Sequence, residues 1–470
     1  MKTCGAALAA IFALLIVRTG LAADIAPPGL SAETQQKIDS AVAEVLKKTG
    51  APSASIAIVR DGRTVYLRAY GDARLEPKLA AEPGMRYAIG SVSKQFTAAA
   101  ILLLQQDGKL SLDDKIAKYF PDLTRADDIT VRQLLSHTSG YQDYWPQDYM
   151  FPLMVEPVTP EGIMDAWARK PLDYEPGTKW QYSNTGYVIA GRIVEKVSGK
   201  SLFQFLRERI FTPLQMTTAH DFDREPLSAG NASGYTSFAL GPPRAAAVSG
   251  AGWLFGAGEL AMTAADLARW DISIINQSLL RESSYRALET ETLLANGVGT
   301  RYGLGVDVEL ENQRRKIAHG GEVVGCTADN LVYPDDRTAI VVLVNQDASR
   351  ATAQISEKLA ALVFEQAQAT DDAKTAQARG IFEGLQQGRF DRSLFTDNAN
   401  YYFSDVAIAD FKSSLAPLGA PTEFKQKRHW LRGGMTGRSY EAKFADRTLR
   451  AWTYEMPDGK LEQYLVAVTE

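Results

Sequence analysis

Hydrophobic and polar positions change rhythm several times along the chain. From Gln35 to Lys48, apolar residues recur at helical spacing, with Ile38, Val42, Val45 and Leu46 on one side, which predicts an amphipathic helix. Two β-branched and aromatic runs, Ala54 to Val59 and Thr64 to Tyr70, flank Asp61-Gly62 and predict a hairpin. Phe96 to Leu104 is apolar at every position but Thr97 and is closed by Asp107-Gly108, so it predicts a helix buried on nearly all sides. Leu112 to Leu227 reads as mostly helical with loops. It includes Val131 to His137 and Tyr187 to Val197, with an aromatic loop from Tyr141 to Phe151 between them. Thr263-Ala264-Ala265-Asp266 predicts the cap of a helix over Leu267 to Ile275. Strand patterns return at Gly305 to Leu310, Arg315 to His319, Thr327 to Tyr333 and Thr338 to Val344, and a helix follows from Thr352 to Phe364. Strands at both ends of a helical middle imply an α+β fold whose two ends share one antiparallel sheet, with terminal helices on its face.

At Gln368 to Asp372 the composition turns polar, and residues 367–377 are expected to form a linker. It would separate a domain over 25–366 from a small α+β domain over 378–470. The latter should hold helices near Ala376 to Gln387 and Val406 to Leu415, then strands at Tyr440 to Phe444, Thr448 to Glu455 and Leu461 to Val468. Trp430 and Gly433-Gly434 carry no assignable chemistry.

Composition narrows the classes. With 470 residues, 45% hydrophobic and 23% charged, the chain is an ordinary globular protein with length for two or three domains. A formal net charge of −5 and no Lys/Arg-rich run argue against a general nucleic-acid binder. The N-terminus has the pattern of an export signal over 1–22: Lys2, an apolar core from Ala6 to Val17, and Gly20-Leu21-Ala22 before a cleavage point. Export to the periplasm or beyond is therefore expected, with no stable membrane span, since no apolar run is long enough. Cys4 lies inside the signal, which leaves Cys326 alone and the mature chain without an internal disulfide.

Candidate chemistry starts at Ser91-Val92-Ser93-Lys94, which opens the buried helix. One reading is a helix cap with a solvent-facing Lys; the other is a nucleophile with its base, since residues three apart share a helix face. Competing hydrolase and cofactor patterns are missing: no Gly-x-Ser-x-Gly, no His-Glu-x-x-His and no glycine-rich phosphate loop. No cofactor or metal is expected. Two further motifs follow in order, Tyr182-Ser183-Asn184 and His319-Gly320-Gly321.

With Ser-x-x-Lys, Tyr-x-Asn and His-x-Gly in this order, the chain resembles the serine β-lactamase and penicillin-binding-protein superfamily. It is most similar to the class C branch, which also holds D-aminopeptidases, DD-carboxypeptidases and esterases. Leu134-Leu135-Ser136-His137-Thr138-Ser139-Gly140 and Glu175-Pro176-Gly177 agree with that branch, and the resemblance covers roughly residues 35 to 366. It implies a β-lactamase/transpeptidase-like fold and an acyl-enzyme formed at Ser91. It also implies that Lys94 and Tyr182 share the base role, that Asn184 holds Lys94 and the substrate amide, and that the N–H groups of Ser91 and Glu322 form an oxyanion hole. Bringing a Lys from about 10.4 to 7 costs roughly 4.6 kcal/mol, which a buried helix can impose.

The third motif departs from the Lys-Thr-Gly of many relatives. His319 is mostly neutral where a Lys would be charged, and Gly320 lacks a hydroxyl. Gly321 keeps the final glycine. Both changes weaken recognition of a carboxylate, which favours an amidase acting on D-amino-acid peptides, or an esterase, over a β-lactamase or DD-carboxypeptidase. A small-molecule or peptide substrate is thus expected. A catalytically silent binder of cell-wall peptides or of a partner protein is the rival of another class. His137 is expected to be a structural hydrogen-bonder, Cys326 a small buried residue, and Ser93 to point away from the site. Tyr141, Tyr144 and Trp145 are either loop packing or a pocket wall.

Overall fold

The structure, a computed structural model, describes residues 29–147, 149–239, 241–311, 314–432 and 435–468, without the side chains of 365–371 and 428–432. The expected export signal lies outside the described residues, as do Gly433 and Gly434. The chain divides into two compact units, Gly29–Ala369 and Thr370–Glu470.

In the first unit the two ends of the chain meet in one antiparallel sheet. Its seven strands run in the order Leu79–Ala80, Arg63–Arg74, Ser53–Arg60, Thr338–Val344, Cys326–Tyr333, Arg314–Val323 and Asp307–Glu311. Ser53–Arg60 pairs with the hairpin partner Arg63–Arg74 on one side and with Thr338–Val344 on the other. These central strands are apolar throughout because both faces are covered. Ala57, Val59, Val341 and Leu343 join the core on the helical-middle side, while Ala54, Ile56, Ile58, Ile340 and Val342 pack under the terminal helices. The first of those helices, Ala32–Thr49, is capped by Ser31, whose hydroxyl accepts from the Thr34 N–H at 3.1 Å.

The helix Ser93–Gln106 is buried from Ser93 through Leu104, as its lack of a polar face predicts. One of its buried polar side chains, Gln95, is satisfied on both ends: it accepts from Trp270 Nε1 at 2.7 Å and donates to Asn330 Oδ1 at 2.8 Å. The helical middle contributes Val131–Leu135 and Asn184–Ser198. The capped helix Ala264–Asn276 begins at Thr263, whose hydroxyl accepts from the Asp266 N–H at 3.2 Å. Among the described residues no helix is long and apolar enough to cross a membrane.

Residues 367–377, expected to form a linker, lie within a helix, Ala351–Gln386, and the division between the two units falls among them, at Ala369/Thr370. Four of these eleven residues are Ala and two are Gln, which are strong helix formers. In the second unit a four-stranded sheet replaces the expected three strands. The missed strand, Glu423–Arg432, is crowded with Lys and Arg and carries little β-propensity; pairing with Met435–Lys443 supplies its structure. That sheet packs its own core, including Phe382, Phe424, Tyr440 and Tyr464.

Candidate active site

Ser91 sits in a single 3₁₀ turn, Gly90–Val92, that leads directly into the buried helix. Two glycines bring this turn against the strand Arg314–Val323. A Cβ on Gly321 would lie 1.9 Å from the Ile89 carbonyl oxygen, and one on Gly90, whose φ is +51°, would lie 2.8 Å from the Glu322 nitrogen. Glu322 stands opposite Thr327, one step from the Val323–Cys326 pair that closes the hairpin. Its backbone nitrogen lies beside the Ser91 turn.

Lys94 is fully buried, one helical turn from Ser91. Its Nζ is 2.9 Å from Ser91 Oγ and donates to Asn184 Oδ1 and to the Ala257 carbonyl, each at 2.8 Å. Burial pulls its pKa down from 10.5 to about 7, against the opposing pull of Asp143 and Glu259. The solvent-facing reading of this Lys is excluded. Three oxygen partners accommodate both forms: the ammonium donates to all three, and the neutral amine donates to the two carbonyl oxygens and turns its lone pair to the Ser91 hydroxyl.

Asn184 is the first residue of the helix Asn184–Ser198, and Tyr182 lies two residues before it. Asn184 is held from behind by Asp143, which accepts from its backbone N–H at 3.0 Å and its Nδ2 at 3.2 Å. Tyr182 carries its ring 4.9 Å from Lys94 Nζ. Burial pushes the Tyr182 phenol well above its usual pKa, opposed by a hydrogen bond with Ser91.

His319 is buried, and its Nε2 lies 2.8 Å from the Tyr302 hydroxyl. Burial, then the nearby Lys94, lowers its pKa to about 3, so it is neutral. His137 is a structural hydrogen-bonder: its Nδ1 accepts from the Ser183 N–H at 3.1 Å. Ser93 turns away and accepts from the Leu260 N–H at 3.1 Å. Cys326 is buried, with its thiol pushed up to about 12 by burial. Ser91, Tyr182, Asn184, His319, Gly321 and Glu322 all line one cleft of about 750 Å³, with Lys94 beneath it. Tyr144 and Trp145 form part of its wall, whereas Tyr141 donates to the Thr124 carbonyl and packs in the core.

A family model described as Beta-lactamase matches residues 38–364. The chain belongs to the beta-lactamase family. Within that family, the D-aminopeptidase of Brucella canis is 30% identical over 313 residues, which is 66% of this chain and 60% of the relative. The chain thus spans less than two thirds of that relative's length. The D-stereospecific amidohydrolase from Streptomyces sp. superposes with a TM-score of 0.58 at 27% identity, over 69% of this chain and 97% of the other. The penicillin-binding protein homologue from Pyrococcus abyssi shares the fold at 22% identity, with a TM-score of 0.61 over 92% and 99% of the two chains.

Sequence reasoning missed several residues of this beta-lactamase-family cleft. Asp143 is the acidic side chain among Tyr141, Tyr144 and Trp145, a signal available in the sequence. Glu259, which acts on Lys94 but is not among the cleft's lining residues, interrupts the apolar run from Trp253 to Met262. It is buried without a hydrogen-bond partner for either carboxylate oxygen, and burial raises its pKa to about 8. Tyr302, Asp307 and Asp329 line the cleft from distant parts of the chain, and no local pattern marks them.

Proposed function

We propose that this chain is a serine hydrolase that forms an acyl-enzyme at Ser91 and cleaves amides or esters of D-amino acids bearing a free amine. The observation that carries the chemistry is the buried Lys94 Nζ, 2.9 Å from Ser91 Oγ and near neutrality at pH 7. As Ser91 Oγ bonds to the substrate carbonyl carbon, its proton moves to the Lys94 lone pair, and no partner of Lys94 has to move. The N–H groups of Ser91 and Glu322 hold the oxyanion. Tyr182, kept as a phenol by burial, acts as a relay rather than as the resting base: its O–H proton goes to the leaving amine as it takes up the proton that Lys94 received from Ser91. The shared base then divides unequally, with Lys94 taking the proton from Ser91. In the second half water attacks the ester and gives a proton to Lys94, which passes it to the leaving Ser91 oxygen.

Charge supports the substrate class. Asp143, Asp307, Glu322 and Asp329 line the cleft, and no Lys or Arg is among its described lining residues. An ammonium group is attracted there and a carboxylate repelled. The kinship with a D-aminopeptidase points the same way. Export to the periplasm or beyond is part of this reading, from the N-terminal pattern.

The test is a side-by-side panel of a p-nitrophenyl ester, D-alanine p-nitroanilide, a cephalosporin and a D-Ala-D-Ala peptide, with the Ser91 adduct followed by mass. D-alanine p-nitroanilide should be turned over fastest of the amides, and Ser91→Ala should lose both turnover and adduct. Best turnover of the cephalosporin overturns the substrate class. No adduct and no turnover in the wild type favours a silent binder.

A further inference from the structure

Five groups form a hydrogen-bonded line behind the cleft wall. The Ser183 backbone N–H meets His137 Nδ1 at 3.1 Å, and His137 Nε2 lies 3.2 Å from the Tyr302 hydroxyl. The same hydroxyl is 2.8 Å from His319 Nε2, and His319 Nδ1 is 2.5 Å from the Gly320 carbonyl oxygen. The two ends of this line have fixed polarity, because a backbone N–H can only donate and a carbonyl can only accept.

Fixed ends determine the middle. His137 Nδ1 accepts, so the proton of its neutral ring sits on Nε2 and points at Tyr302. At the far end, His319 must carry its proton on Nδ1 to meet the Gly320 carbonyl. Its Nε2 is then an acceptor that needs a donor, and the Tyr302 O–H is the group within reach. Every link runs in one direction, from Ser183 to Gly320. Both rings are buried. The groups facing them are Lys94, Tyr182, Tyr187, Tyr302 and each other; Asp307 and Asp329 lie on the two strands paired with that of His319, but the charge that acts on both rings is Lys94, which opposes a second proton.

We infer that Tyr302 and His137 are positioning residues that lock His319 as a neutral Nδ1–H ring, so that His319 offers the cleft no N–H and no charge with which to bind a substrate carboxylate. Selectivity against carboxylates then resides in this line as well as in the identity of residue 319. The consequence for substrates rests on the reading proposed above; the tautomers do not.

The chain has four histidines, so an ¹⁵N-histidine spectrum of the intact protein is simple enough to assign by single substitutions. The wild type should show one neutral ring protonated on Nε2 (His137) and one on Nδ1 (His319), neither titrating between pH 5 and 8, where an unshifted His would. Opposite tautomers, or titration of either ring in that window, overturn the lock. Tyr302→Phe should release the His319 signal from its fixed tautomer. It should also lower the preference for D-alanine p-nitroanilide over a carboxylate-bearing D-Ala-D-Ala peptide by about five- to tenfold in kcat/KM. If the spectrum is as expected but that ratio does not move, the selectivity role fails while the lock stands. If Ser91→Ala is as active as the wild type, the catalytic reading fails independently of the tautomers.

Discussion

Gly321 and Ile89 are in contact through bare backbone: a methyl on Gly321 would stand 1.9 Å from the Ile89 carbonyl oxygen. This contact sets the distance between the strand that ends in Glu322 and the turn that carries Ser91. The final glycine of His319-Gly320-Gly321 is therefore a spacing requirement. Gly321→Ala should push the strand off the turn, destabilise the protein by about 1–3 kcal/mol in urea unfolding and cut acylation more than substrate affinity. Acylation at the wild-type rate in a folded Gly321→Ala protein would show that the spacing is not critical.

The pKa of Lys94 has a stability consequence with a definite sign. Folded, it is lowered from 10.5 to about 7, so between those values the unfolded chain holds a proton that the folded one does not. Stability from this group is lowest below pH 7 and rises as pH climbs toward 10.5, with a slope of about 1.4 kcal/mol per unit. Lys94→Met should abolish acylation yet stabilise the fold at pH 7 by about 2 kcal/mol. The gap to the wild type should narrow on going to pH 9. Denaturation curves at the two pH values check this, and a gap that widens contradicts it.

Asp143 affects Lys94 in two ways, by holding Asn184 and by favouring the ammonium form. In the wild type kcat/KM should fall about tenfold per unit below pH 7, as Lys94 gains its proton. Asp143→Ala should lower kcat by about tenfold through the loosened Asn184. It should also move the acid limb to lower pH, because an anion that stabilised the ammonium is gone. A pH–rate profile separates these effects, and a limb that moves upward would count against the electrostatic part.

The acidic cleft predicts a salt effect that depends on substrate charge. For D-alanine p-nitroanilide, kcat/KM should decline with rising ionic strength as the attraction between cleft and ammonium is screened. A neutral p-nitrophenyl ester should show little change. Equal salt dependence for the two substrates would remove the carboxylates from substrate recognition.

Much of the catalytic unit was legible in the sequence. The Asp61-Gly62 hairpin, the apolar central strands and the faceless helix after Ser91 each have a local signature that the core merely reinforces. The second unit was less legible: Glu423–Arg432 is a strand through its partner rather than its own residues, and the polar stretch at 367–377 is helix because its residues favour one.

The sequence by itself determined which residues are candidates for the reaction centre: Ser91, Lys94, Tyr182, Asn184 and His319 are singled out by type and order, since each motif is local in the chain. Only the tertiary structure decided their states. That Lys94 is stripped of water, that Asp143 backs Asn184, and that Tyr302 joins His137 to His319 depend on residues far apart in sequence meeting in a buried space. Protonation follows from solvent exclusion and neighbouring charge, and both are properties of the folded surroundings rather than of any motif.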